Sequence, residues 1–440
     1  MQYRFSTHVS AVLAILATGC AGTFAQQAGP QPGYFDLPAG FDFPADKQTL
    51  EQYRTSGNLS AQRAHVWNVF AGMTQPTPDG KHAIFETWYS EREAFATGAV
   101  PQALGPRPMV FRFTNPRQLQ GKAGQPAPQA AGSELLSEVM YNYPNYNHIR
   151  SNRLYLFSKL QDLQQSGASD PHIPNDKTVP PFPKEAISLK TVWWPVAKDK
   201  PTPMPIWDPE LNPANNNGNP YTTWVRAVVV DPTRQNIPEN ETMTVSFHGQ
   251  HPNSRVYGLD RFHYVIVDDQ TAANAMSNGR LRQFVNDVLH RDLQAGDYAL
   301  FVGTHLTTKE IDDWVWATFW WHDRPDAGSF AADRPDSVKG VWRNYLMSAS
   351  YDLNLPREQD GSPHIAFNPW LEAGFRKLNG GDGSGLQSNC MNCHLRAAAP
   401  QDTFGFLPIF RGDPKVQTDP AYAPGLLRTD FLWSITDLAQ

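Results

Sequence analysis

Cys390-Met391-Asn392-Cys393-His394, near the end of the 440-residue chain, sets two thiols and an imidazole within five residues. That order suits one piece of chemistry above others. Each thiol can add across a vinyl group of a haem to leave a thioether, and the adjoining imidazole can ligate the iron from one face. The chain holds 3 Cys and 13 His. On that composition one such pentapeptide arises by chance with a probability of about 6 × 10⁻⁴. The pattern names a cofactor, one covalently attached haem c, without naming a reaction.

Three rival uses of the same cysteines are weaker. A structural zinc site takes four protein ligands, and no second cysteine pair exists. A thioredoxin-like pair needs a preceding strand and a βαβ context, whereas Gly380-Gly381-Asp382-Gly383-Ser384-Gly385 leads into the motif. A disulfide across so small a loop would stabilise little.

At Cys390 to His394, with a helix start through Leu395, Arg396 and Ala397, the chain resembles the c-type cytochromes. The resemblance implies thioether anchors at Cys390 and Cys393 and a proximal iron ligand at His394. The stretch HLTTKEIDDWVWATFWWHD followed by SNCMNCH looks like a group of large, exported bacterial cytochrome c-like proteins. That likeness implies an architecture and no activity. One departure matters. Small cytochromes of this kind close the second face of the iron with a methionine downstream of the motif, and no Met or His follows His394. A sixth ligand must come from upstream, from water, or be lacking.

His305 and His322 open and close the aromatic stretch, and Met347 and His364 stand nearer the motif; these four are the candidate distal ligands. Each has a plainer reading as a packed or hydrogen-bonded residue. His248 and His251 read as a polar loop, because no third ligand for a second metal is identifiable. Lys309, Glu310, Asp312 and Asp313 could serve acid–base chemistry beside an open iron, or form a solvated turn. Arg396 suits either a haem propionate or solvent. Trp314, Trp316, Trp320 and Trp321 could relay electrons, although such clusters more often fill a core.

Arg4 followed by the apolar Val9 to Gly19 reads as an export signal, too short to span a membrane. Two cleavage readings compete. A relaxed lipobox at Leu16 to Cys20 leaves residues 1–19 as signal and Cys20 as a lipid anchor; cleavage after Ala25 removes residues 1–25. Either places the protein in the periplasm or, as a lipoprotein, on the outer membrane, and covalent haem attachment in bacteria occurs on the periplasmic side. The net charge of −6, with no basic run, argues against nucleic acid as a partner.

These groups need a scaffold. Residues 20–46, rich in Pro, Gly and Gln, read as a flexible tether. Ser60 to Met73 has helical spacing, as do Glu134 to Tyr141, Asn147 to Gln165 and, most clearly, Thr271 to Leu293. Lys81 to Tyr89, Pro108 to Phe113, Ile187 to Val196, Thr222 to Val230, Glu241 to Phe247, Arg261 to Asp268 and Tyr298 to Gly303 have strand character. Thr307 to Asp323 carries apolar residues on both parities and predicts a strand buried on both faces. Gly340 to Tyr351 and Asn368 to Leu378 predict short helices. The expected fold is α+β: a β-rich body over 47–379 with a haem-attachment segment over 380–440.

Two functions follow as expectations. The first is an exported single-haem cytochrome exchanging electrons with a partner protein or a small-molecule oxidant or reductant. The alternative is a haem-dependent oxidoreductase, peroxidase- or oxygenase-like, with an open or weakly ligated iron in a site completed by the β-rich body. A binding module with a structural haem is a third class.

Overall fold

The segments richest in β-branched and aromatic residues pair into one long antiparallel sheet. The computed structural model describes residues 29–98, 109, 111, 135–208, 211, 221–353, 366–372, 389–399 and 424–440. Within them the sheet runs in the order β1 (Tyr89–Ser90), β2 (Leu136–Tyr141), β5 (Ile187–Val196), β11 (Tyr298–Thr308), β12 (Val315–Trp321) and β13 (Tyr345–Ser350). A further strand, β10 (Tyr264–Ile266), lies along the first residues of β11. A four-stranded sheet joins β6 (Thr202–Ile206), β7 (Arg226–Val230), β9 (Gln250–Tyr257) and β8 (Thr242–Ser246). Another joins β14 (Ala398–Ala399), β15 (Leu427–Arg428), β4 (Lys177–Thr178) and β3 (Ala168–Ser169). The fold is α+β.

The helices are α1 (Lys47–Thr55), α2 (Leu59–Met73), α3 (Glu91–Ala94), α4 (Tyr143–Ser151), α5 (Phe157–Ser166), α6 (Asp269–Ser277), α7 (Gly279–Leu289), α8 (Pro369–Glu372), α9 (Cys390–His394) and α10 (Trp433–Leu438). Asn58 caps α2 by accepting from Ala61 N, and Thr74 ends it. This helix covers one face of the sheet. There Phe70 stacks on Phe319 with ring centroids 4.1 Å apart, and Trp67 meets Phe319 edge-on at 5.0 Å. Such pairs add about 0.5–1.5 kcal/mol beyond the area they bury.

The register fixes what each face carries, because residues paired across antiparallel strands point the same way. On the α2 face one row reads Met140, Leu189, Leu306, Ala317 and Ala349. On the opposite face the neighbouring row reads Val139, Lys190, His305, Thr318 and Ser348. Beside it runs Tyr141, Ser188, Thr307, Trp316 and Ser350. The strand expected over Thr307 to Asp323 instead spans the turn of a hairpin: Thr307 and Thr308 end β11, and β12 starts only at Val315, buried throughout as its two apolar parities predict.

Several segments differ from expectation for identifiable reasons. Glu134 to Tyr141 is helical in spacing but forms β2, because its six residues ladder onto β5 and both its faces are covered. The Asn147 to Gln165 helix is two helices, broken where Arg153 takes φ +58°. Thr271 to Leu293 is likewise split at Asn278, which caps α7 by accepting from Arg280 N and Leu281 N. Lys81 to Tyr89 contains a 3₁₀ turn at Ile84–Thr87, not a strand, and Gly340 to Tyr351 is a 3₁₀ turn followed by β13. Most of Pro108 to Phe113 lies outside the described residues.

The tether expected over 20–46 is shorter at its C-terminal end. From Gln31 onward the chain belongs to one compact unit with the body. Gln31 N donates to Tyr89 Oη at 2.8 Å, and Ala45 N to Glu310 Oε1 at 2.7 Å. Phe41 and Leu37 sit so close to Gly72 that a Cβ there would lie 2.9 Å from each, so α2 needs glycine at that crossing. The C-terminal residues are not an appendage either. Strand β15 pairs in parallel with β4, and Gln440 N donates to Tyr155 O at 2.9 Å.

Candidate functional site

The motif forms α9, seated on the Trp316 face of the sheet. Asn389 Nδ2 donates to Asp352 O at 2.9 Å just before it, and Ser350 Oγ approaches Met391 Sδ at 3.5 Å. Residues four apart on a helix share a side, so Cys390 and His394 lie on a common flank. Both cysteines are free and buried. Burial pushes the Cys390 thiol well up, and pushes Cys393 up to about 12, with Arg396 countering in part and Glu372 adding. Both are therefore protonated thiols at neutral pH. Cys390 Sγ rests on Ala366 O at 3.3 Å.

His394 is held in one tautomer. Its Nδ1 lies 2.7 Å from Phe431 O, an acceptor only, so Nδ1 carries the hydrogen and Nε2 the lone pair. Burial pulls its pKa down to about 3; the Phe431 carbonyl opposes this, while the charges of His305 and Lys190 reinforce it. The imidazole is neutral. Its ring packs against Trp316 at 4.3 Å.

The carbonyl that orients His394 sits in an unusual turn. Asp430 and Phe431 both take positive φ, +48° and +67°, which costs of order 1–3 kcal/mol for residues with a side chain. Asp430 is pinned by Lys309 Nζ at 2.7 Å and Trp314 Nε1 at 3.2 Å. Lys309 thus reaches the motif through this turn.

His305 stands on the sheet row adjacent to Trp316. Its Nε2 hydrogen bonds Glu372 Oε1, while its buried Nδ1 has no hydrogen-bond partner among the described residues. Glu372 also accepts from Asn368 N, closing the α8 turn. Asn368 Nδ2 in turn donates to Thr318 Oγ1 at 2.9 Å and Phe319 O at 3.0 Å. A Cβ on Gly303 would lie 3.0 Å from Asn368 Nδ2 and 3.1 Å from Phe319 O, so glycine permits this close docking. Lys190, paired across the strands with His305, is half-buried, and its pKa is lowered by desolvation against the pull of Glu372, Glu91 and Asp437.

Of the three distal candidates among the described residues, His305 is the one on the sheet row beside Trp316, the residue that packs on His394. His322 lies past the far end of β12, six residues from Trp316, or roughly 20 Å of strand. There Nδ1 accepts from Arg324 N at 2.9 Å beside Asp323. Met347 is paired with Phe319 and so faces α2, across the sheet from His394. His364 and the glycine run lie outside the described residues.

The remaining candidates are occupied elsewhere. His248 Nε2 meets Asp287 at 2.6 Å, and His251 Nε2 meets Phe247 O at 2.8 Å. Glu310 is buried on the α2 side, binding His65 Nε2 at 3.0 Å and Thr308 Oγ1 at 2.6 Å. Asp312 pairs with Lys47 and Asp313 with His172. Arg396 is 2% exposed, which rules out the solvent-facing reading. Trp316 packs on His394, whereas Trp320 packs on Trp207 at 5.7 Å and Trp321 on Phe262 at 4.5 Å.

Phe431, Asp430, Glu372, Asn368 and Lys190 escaped the sequence reading. The short helix expected from Asn368 is present as α8, but nothing in its sequence pointed Glu372 at His305. Comparison with protein-family models, curated proteins and solved structures returns no match.

The residues fit a covalently held haem. Two protonated thiols at the attachment spacing adjoin a neutral imidazole, whose Nδ1–H is fixed by a backbone carbonyl so that Nε2 is the available donor. That outer hydrogen bond is the device that orients metal-ligating histidines.

Proposed function

We propose that this chain is an exported single-haem c-type cytochrome that passes electrons to or from a partner. The observation that carries this reading is His394, neutral and locked by the Phe431 carbonyl, one turn along from Cys390. Cys390 and Cys393 would tether a haem c as thioethers, and His394 would ligate its iron through Nε2. When bound, the haem supplies one-electron redox chemistry at iron. The chain's part is to orient and to exclude water. Phe431 holds the imidazole plane, and Trp316, Leu395 and Trp433, each no more than 6% exposed, wall the motif. Arg396, buried beside Cys393, would pair with a propionate.

A haem-dependent oxidoreductase is the second reading, favoured by the His305–Glu372 pair. A carboxylate-held imidazole beside the motif could move a proton to or from a substrate at an open iron.

Carbon monoxide separates the two. Mixed with reduced, periplasmically matured protein, it should leave the spectrum unchanged if the iron is closed on both faces. A rapid spectral change would overturn the electron-transfer reading in favour of the enzyme. Export is testable by the mass of the mature N-terminus: a lipidated Cys20, a chain starting at Gln26, or an unprocessed Met1, which would refute it.

A further inference from the structure

We propose that His305 closes the second face of the iron, ligating through Nδ1. This deepens the cytochrome reading and rests on it. The assignment starts from His305's two nitrogens. Nε2 faces Glu372 Oε1, and an ionised carboxylate only accepts, so Nε2 carries the hydrogen. In the neutral imidazole Nδ1 then holds the lone pair. That atom is buried and lacks a hydrogen-bond partner among the described residues. A buried nitrogen left without a partner on a packed strand calls for an explanation.

Its placement supplies one. His305 projects from the face on which Trp316 meets His394, one step along β11 from the Thr307–Trp316 pair. Its support is rigid: Glu372 is held by Asn368 N, and Asn368 by two bonds to β12. His305 and His394 thus share one design. In each, one nitrogen donates to a fixed oxygen and the other is left with a lone pair. Ligation consumes only that lone pair, and the Nε2 proton stays on its carboxylate.

The test uses full-length, periplasmically matured protein and reads spin state. Oxidised wild type should be low-spin, with the electron paramagnetic resonance signature of two imidazoles, and its reduced form should ignore carbon monoxide. His305→Ala should keep its haem after denaturation, turn high-spin, bind carbon monoxide on mixing, and return to low-spin when imidazole is added. Glu372→Gln should remain low-spin when oxidised, while its reduced form slowly takes up carbon monoxide that wild type ignores. A low-spin, carbon-monoxide-insensitive His305→Ala would overturn the assignment, as would a high-spin wild type or one with a methionine-type signature. The wild-type resonance needs no variant to fold. Wild type without covalent haem would sink the cytochrome reading as well, whereas retained haem with an unchanged His305→Ala spectrum sinks only the ligand.

Discussion

The two faces of the central sheet use histidine in opposite ways. On the α2 side His65 is buried between Glu310 and Asp42 and is cationic, its pKa raised to about 9 because those carboxylates overcome the cost of burial. On the other side His394 is neutral, its pKa lowered to about 3 by burial. The first is an internal ion pair that is complete in itself. The second keeps an Nε2 lone pair with no hydrogen-bond partner among the described residues. The rows behind them differ likewise: Leu189, Leu306 and Ala317 on one face, Lys190, His305 and Thr318 on the other. A sheet can satisfy its apolar face by packing alone. A face carrying lysine, histidine and hydroxyls is costly to bury unless each group finds a partner, and such faces are where sites are built.

The largest expected effect breaks the packed face. Phe319→Ala removes the ring held between Phe70 and Trp67, and should cost about 3–5 kcal/mol in denaturant unfolding. Its haem content per folded molecule should be unchanged, which would separate the two faces; parallel loss of haem would join them.

Opposite pH windows sharpen the contrast. His65 binds its proton more tightly folded than unfolded, so its stabilisation is full below pH ~6.5 and is lost as pH rises through about 9. By linkage that is worth roughly 3 kcal/mol. Glu310→Gln should flatten this alkaline decline. In the haem-free chain, where Nε2 is unligated, His394 behaves in reverse. Unfolding takes up a proton between pH ~6.5 and about 3, so its share is full above that window and falls as the solution is acidified. Unfolding midpoints across pH 4 to 10 measure both limbs.

Gly303→Ala should cost about 1–3 kcal/mol by pushing Asn368 off β12. It should also disturb the His305 spectrum, which a purely structural glycine would leave alone. Asp430→Asn is milder, about 1–2 kcal/mol from a weakened bond to Lys309. The Phe431 carbonyl would then hold His394 less firmly, readable as a shift in reduction potential with haem retained.

The α+β class was legible because β-branched and aromatic residues act locally, and the burial of β12 because both its parities are apolar. The motif was legible because five adjacent residues carry it. What supports the motif was not. The Phe431 carbonyl is backbone, and its two left-handed residues are neither Gly nor Asn, so no residue type advertises the turn. Glu372 meets His305 across 67 positions, a partnership that only the docking of α8 creates. Glu134 to Tyr141 misled because a strand covered on both faces loses the alternation that marks strands.

The most direct test of the central claim is whether haem stays with the polypeptide under denaturing conditions after periplasmic maturation. The wild-type chain should retain haem iron on a denaturing gel, and Cys390→Ala with Cys393→Ala should lose it. Haem held by the double variant, or none held by the wild type, would contradict the account.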